Sequence, residues 1–339
     1  MKVNWNFSLY VQRSSILVIG LFLLALTLFT LQGMMTAEAA EGPKGPVEIT
    51  VGTGAGGTPD VIMRRVAKIL GEEKLVEQPI VIQNRTGGSW MVAVNWVIGK
   101  KGGYDTLMGI AQPLLTTPIV QGLKTVYDQL VPIALFVQGD LMIVAQPDSP
   151  FKSLADFVNE AKKNPRGLKF SGSQTGSTDH MVVALLEKAA GVKFNYIPYD
   201  SGSAATASFL GKNVDGLVLS LGEAVPLVQS GKVKPLAVLT EKRRANAELK
   251  DFLTAKEQGI DLVWGQFWGL AGAPGIDPGL VKWWNDRLQK MTATKAWKEG
   301  IDTNFQRSDF IDYTKAPAYM AEQHKIYLQL LRDIGLAKQ

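Results

Sequence analysis

Cysteine is absent from all 339 residues, which excludes disulfides, thiolate nucleophiles and zinc–sulfur centres. Histidine is nearly absent. His180 and His324 lie far apart in sequence and are too few for most metal sites. A block of like charge is missing as well: the formal net charge is +5, scattered over the chain, which argues against a nucleic-acid partner. Only one long apolar run exists, Ile16 to Leu31, and its 16 residues fall short of the about 20 that a membrane-spanning helix needs. Nothing beyond it approaches membrane length, so the remainder reads as a soluble protein.

That run has its own meaning. Lys2 and Arg13 precede it, and Ala37-x-Ala39 follows before Ala40, the small-residue spacing of a signal peptidase site. Residues 1–39 are therefore expected to be a signal peptide cleaved after about Ala39, with an uncleaved anchor as the alternative. A lone Arg13 points to the Sec route, and no cysteine follows that could carry a lipid. Cleavage leaves 300 residues (339 less 39) and removes Lys2, Arg13 and Glu38, so the net charge falls to +4. A chain of that length more often forms two domains than one. The expected location is the periplasm.

The mature part alternates apolar runs with helical periodicity. "VEITVG", "PIVIQN" and "YDTLMGIA" read as strands. Between them lie two helices, one with Val61, Ile62, Val66, Ile69 and Leu70 on a face, the other from Met91 to Ile98. Thr58 is the expected N-cap of the first, with Pro59 at its first helical position. This βαβαβ start implies α/β lobes with a mostly parallel sheet flanked by helices. "LMIVAQPDSP" ends a strand in a proline-bounded corner, and a second αβ series runs from "SLADFVNEAKKNP" to "KPLAVLT". The aromatic "WGQFWGLAGAPG" opens a third, largely helical section. The expected division is residues 40–147 plus 264–339 as lobe 1 and 148–263 as lobe 2, joined by two crossings.

The stretch Val51–Asp60, "VGTGAGGTPD", carries G-x-G-x-x-G in Gly52, Gly54 and Gly57. A dinucleotide site also needs a carboxylate about 20 positions on, at the end of the second strand. Gln83-Asn84-Arg85 stand there instead, so no nucleotide cofactor is expected. The loop keeps its physics: a helix N-terminus presents unpaired N–H groups and a partial positive charge, and glycines allow close approach. An anion other than a nucleotide fits, as does a plain tight turn. The stretch is echoed by "LKFSGSQTGSTDHMVVALLEKAAG", again strand, small-residue loop and helix with Asp in its first turn. Two further loops, "YDSGSA" from Tyr199 and Ser220-Leu221-Gly222-Glu223, open helices after strands. Such strand ends are where open α/β sheets bind ligands. His180 is expected to cap or hydrogen-bond. Trp264, Trp283 and Trp284 are expected to pack, and Phe267 or Trp268 to pack or line a cleft.

In their order and spacing these pieces resemble one family. The glycine loop to Asp60, "IVIQNRTGGS", "FSGSQTGSTDHM", "YIPYDSGSAATASFLGKNVDGLVLSLGEAVPLVQSGKVKPLAVLTEKR" and "WGLAGAPG" are similar to the extracytoplasmic solute-binding proteins of tripartite tricarboxylate transporters, the Bug family. The resemblance implies a two-lobed Venus-flytrap fold of the periplasmic binding protein type. It also implies a small carboxylate held between the lobes, a di- or tricarboxylate or an aromatic acid, and delivery of it to membrane permease subunits by a monomer without cofactor or metal. Two departures stand out. Gly52-Thr53 replace a common Pro-Phe, and Asp200-Ser201 follow Tyr199 where Lys-Gly is common.

On this reading Thr53, Gly54, Ala55, Gly56, Gly57 and Thr58 grip a carboxylate from one lobe. Ser173, Gln174, Thr175, Gly176, Ser177 and Thr178 grip it from the other. Ser89, Gln112, Tyr199, Ser203, Ser220 and Glu223 contact the rest of the ligand. A binding protein serving a sensor kinase is one alternative. A periplasmic enzyme built on the Ser177/His180 pair is another.

Overall fold

The computed structural model describes residues 42–338. The signal peptide expected in residues 1–39 lies outside the described residues. Runs of branched residues form the strands and amphipathic runs the helices, in strict alternation at first. The order is β1 (Val47–Val51), α1 (Thr58–Glu72), β2 (Ile80–Asn84), α2 (Met91–Ile98), β3 (Thr106–Ala111), α3 (Pro113–Gln121) and β4 (Val131–Ala145). Then follow α4 (Leu154–Lys163), β5 (Lys169–Gly172), α5 (Thr178–Ala190), β6 (Asn195–Pro198), α6 (Gly202–Leu210), β7 (Gly216–Ser220), α7 (Leu221–Gln229) and β8 (Lys234–Val238). The chain closes with β9 (Gly265–Gly272), α8 (Pro278–Ala293), α9 (Lys295–Thr303), β10 (Gln306–Arg307), β11 (Ile311–Asp312) and α10 (Ala316–Asp333).

Two sheets share one strand. β4 pairs with β9, β10 and β11 as far as Asp140, then with β7 and β8 from Leu141 onward. The first sheet runs β2-β1-β3-β9-β4, and the second β6-β5-β7-β4-β8. In each, three strands are parallel with the earliest in the middle: β1 between β2 and β3, β5 between β6 and β7. The repeat seen in the sequence is thus a repeat of topology. The strands joining the halves, β4 and β9, are antiparallel to their neighbours.

The core follows the sheets. Ile62, Met63, Val66, Ile69 and Leu70 put one face of α1 against the first sheet. Leu280, Trp284, Leu288, Met320, Tyr327 and Leu331 of the last helices close the same core. Phe157, Phe170 and Phe194 cluster on one face of the second sheet, Phe209, Leu217 and Val225 on the other. Where the chain crosses between the sheets, Asp140 is buried and bonded to Arg244 and Arg307, at 2.8 and 2.7 Å.

Two expectations change in detail. α1 takes Gly57 as its N-cap, with Thr58 already helical and no side-chain cap. The helix α3 was not visible in the sequence, because Pro118 interrupts it. Among the described residues no helix is long and apolar enough to cross a membrane.

Candidate functional site

Five helices start at one cleft. Its lining includes Gly57, Thr58 and Pro59 at α1, Gln112 and Pro113 at α3, Ser177 and Thr178 at α5, Gly202 at α6, and Ser220 at α7. Each strand that feeds these helices ends beside its neighbours in the sheet, so their N-termini converge. A helix N-terminus carries about half a positive charge, and five of them meet here without a single Lys or Arg in the lining.

The two echoed loops are built alike. In the first, the N–H of Gly56 donates to Asp60 Oδ2 at 2.9 Å, Gly57 donates to Gly54 O, and Asn84 Nδ2 holds both Thr53 O and Asp60 Oδ1. Asn84 stands at the strand end where a nucleotide site would carry its acid, and here it fixes the loop. Burial raises the Asp60 carboxyl, but hydrogen bonds from Arg64, Gly56 and Asn84 outweigh it and the pKa is lowered. In the second loop, Ser173 donates through its N–H and hydroxyl to Asp179 Oδ2, both at 2.7 Å. Burial pushes Asp179 up to about 6 against those bonds, and the charge of Glu223 adds to the rise.

These bonds change what the loops offer. The N–H groups of Gly56, Gly57, Ser173, Gly176 and Ser177 are taken up within their own loops. Among the described residues no acceptor meets the N–H of Thr58 or Thr178. The side chains of Thr53, Thr58, Gln112, Thr178 and Ser220 complete the polar lining. Gln112 stands apart. It is 1% exposed, its Oε1 accepts from Thr178 Oγ1 at 2.8 Å, and its Nε2 has no partner. An unpaired buried amide costs about 1–3 kcal/mol and is rare in folded proteins.

Of the expected contact residues, the cleft gathers Thr53, Gly57, Thr58, Gln112, Ser173, Gln174, Ser177, Thr178, Ser220 and Glu223. Gly54, Ala55, Gly56, Ser89, Thr175, Gly176, Tyr199 and Ser203 do not line it. Several of these join the two halves instead. Ser203 Oγ donates to Ala55 O at 3.1 Å, Thr116 Oγ1 donates to Gly176 O, and Gly54 packs on Ser201. Tyr199 hydrogen-bonds Ser208. The Ser177 hydroxyl accepts from the His180 N–H as a helix cap, and the imidazole Nδ1 accepts from Gly176. Hydroxyl and imidazole therefore do not meet each other. Burial lowers the His180 pKa, which suits this neutral acceptor form.

The cleft also contains residues that the sequence did not single out as contacts. Asp179, Trp90 and Gln266 are the polar and aromatic ones, whereas Phe267 and Trp268, expected to pack or line a cleft, both line it. Trp90 is the last of four consecutive positive-φ positions, which begin at Gly87 (φ 117°) and end at Trp90 itself (φ 82°). Left-handed backbone at a bulky residue is strained and is held by its surroundings. Trp90 is buried over Gly52, where a Cβ would stand 2.5 Å from the indole. Gly52 thus makes room for an aromatic wall supplied by another loop. The glycine pair in "RTGGSW" was the available signal.

Residues 62–336 match the model of the tripartite tricarboxylate transporter family receptor. Protein BugT of Bordetella pertussis is 23% identical, over 86% of this chain and 90% of that one. The fold matches the periplasmic binding protein BugD with a TM-score of 0.81 at 23% identity, over 88% of this chain and 100% of that one. It also matches MatC from Rhodopseudomonas palustris, solved with bound malate, with a TM-score of 0.77 at 20% identity, over 86% and 99% of the chains.

Proposed function

The chain belongs to the tripartite tricarboxylate transporter receptor family, and from that premise we propose that it captures a small carboxylate in the cleft between its two sheets. One observation carries the choice of ligand class. Gln112 Nε2 is a buried donor without a partner in a cleft surrounded by five helix N-termini. A carboxylate oxygen placed there accepts from the amide and from the free N–H of Thr58 while lying in the field of the helices. Donors fixed in advance lose little entropy on binding, so a cleft without arginine still binds tightly.

The lobes are proposed to meet where the strands change sheet, at Asp140–Leu141 and Trp264–Gly265, a few residues before the corner at 147. Opening there breaks the contacts of Thr178 with Gln112, Thr116 with Gly176 and Ser203 with Ala55, all of which span the two sheets. The closed form would then be what the permease subunits meet in the periplasm. A thermal-shift screen of the mature protein tests the reading. Binding raises stability as RT ln(1 + [L]/Kd), so a carboxylate ligand lifts Tm with increasing concentration. A screen in which neutral or cationic solutes shift Tm and no carboxylate does would overturn it.

A further inference from the structure

The first sheet ends at β2, and the outer edge of this strand is open. The Val47 N–H donates to Pro79 O and the Arg85 N–H to Val51 O, so the odd positions from 79 to 85 turn their backbone groups to β1. Alternate residues of a strand face opposite ways, which leaves the N–H and C=O of Ile80 and Ile82 pointing outward. Among the described residues β2 pairs with β1 alone. Natural edges are usually blunted by a charge, an internal proline or a bulge. Ile80–Asn84, "IVIQN", runs in unbroken register with β1 and has none of the three.

Exposed anchors stand beside that edge. Val81 is 46% exposed and lies opposite Glu48 in the register. Glu48 Oε1 accepts from Trp96 Nε1 at 2.9 Å, and the Arg85 guanidinium sits 3.9 Å from the centre of the Trp96 ring. Trp96 is thus an exposed aromatic already held in one place, and the exposed Val92 lies one turn before it on α2. Trp and Arg are the residue types that most often anchor protein interfaces.

The charges along the edge say what covers it. A two-fold contact must be complementary to itself. Antiparallel pairing of β2 with β2 of a second copy, about an axis at Val81, sets Val81 against Val81 and Ile80 against Ile82. The outward groups of Ile80 and Ile82 then bond across the axis, and the two Val81 side chains meet in the closer, non-hydrogen-bonded position. The same register brings Glu77, three residues before the strand, to Arg85, one residue after it. Glu77 is exposed and among the described residues has no ion-pair partner. An axis one residue later would set Glu77 against Gly87 and lose the pair. We propose that the mature protein forms a two-fold dimer through β2, which joins the first sheets of two copies into one. The dimer replaces the monomer that the family resemblance implied and is independent of the ligand reading. It also braces the root of the 85–90 loop, whose last residue, Trp90, lines the cleft.

Sedimentation velocity of the mature protein tests this, over concentrations that bracket about 10 μM, the strength expected of an interface near the small end of the stable range. The parent should pass from monomer to dimer over that range. Val81→Lys should stay monomeric throughout, with the thermal midpoint of the dilute parent, because the new charge lies in water until two copies meet. Glu77→Arg and Arg85→Glu should each remain monomeric alone, since each sets like charges across the axis. Mixed in equal amounts they should associate, because every 77–85 pair then joins opposite charges, and misfolded variants would not rescue one another. A parent that stays monomeric at every concentration would leave the edge to a different chain and overturn the proposal. So would a Val81→Lys protein that still dimerises, or a mixture that associates no better than its components.

Discussion

Thr178 Oγ1, on the first turn of α5, donates to Gln112 Oε1, at the start of α3, across 2.8 Å and between the two sheets. The bond leaves Gln112 with its amide oxygen satisfied and its amide nitrogen buried without a partner. On the proposed reading, closure and ligand capture meet in this one side chain.

Gln112→Met separates its two roles. The variant keeps the side-chain volume and removes a buried amide that is only half satisfied, so ligand-free stability should stay within about 1 kcal/mol of the parent. Affinity for the captured carboxylate should fall about tenfold to a hundredfold. Denaturant unfolding and titration of the same preparation read the two effects. A large stability loss with affinity intact would reject the assignment.

Gly52→Ala should damage the aromatic wall. The added Cβ would stand 2.5 Å from Trp90 Cδ2, and overpacking of this kind costs about 1–3 kcal/mol. The cost should largely disappear in a Trp90→Ala background, so a double-mutant cycle on the unfolding midpoint measures the coupling. Additive losses would show that the two residues do not constrain each other.

Asp140 is 4% exposed and accepts from Arg244 and Arg307, which come from opposite sides of the crossing. Replacing it with alanine leaves two arginines facing one another. Their side chains retain 20% and 41% exposure and can rehydrate, so the loss should be roughly 2–3 kcal/mol, below the 3–5 of a fully buried pair. A lower denaturant midpoint with an unchanged slope is the expected result.

Asp179 should make the ligand-free protein lose stability as the medium becomes less acid. Its pKa rises from 3.8 to about 6 on folding, chiefly through burial and further through Glu223 on α7. Tyr196 of β6 and His180, which stacks on it, are nearby titratable groups, and the Tyr196 pKa is raised well above the ordinary value, by burial first and then by Asp179. The folded chain holds the proton more tightly than the unfolded one, so the penalty is absent below about pH 4, grows to pH 6 and is complete above it. At about 1.4 kcal/mol per unit the full effect is at most roughly 3 kcal/mol. Asp179→Asn should therefore be more stable than the parent at pH 7.5, with the gap closing at pH 4. Parallel unfolding curves at the two pH values check the sign.

What the sequence made legible was local. Glycine loops and the apolar face of α1 depend on near neighbours and were readable, and the expected contacts Ser177, Thr178 and Ser220 do line the cleft, whereas Gly54, Ala55 and Gly56 do not. Gln112 was also found, although its helix was not, since Pro118 obscures α3. The sequence showed only the second half of β4, because the first half is defined by pairing with β9, more than a hundred residues away. Gln266 reaches the cleft through the same distant pairing, whereas Trp90 is set there by the left-handed loop that begins at Gly87. The use of loop N–H groups by Asp60 and Asp179 was hidden too. It depends on side-chain direction, which periodicity does not carry.

β9 sits between β3 and β4, yet it is made after the whole of the second sheet. A chain emerging from its N-terminus can complete β4 to β8 as a local unit, whereas β3 must wait with one edge bare until residues 265–272 arrive. Bare edges invite pairing with other chains, and contacts distant in sequence form slowly. The inserted half is thus placed to fold first, and the half containing the N-terminal glycine loop becomes whole only when the last third of the chain has been delivered.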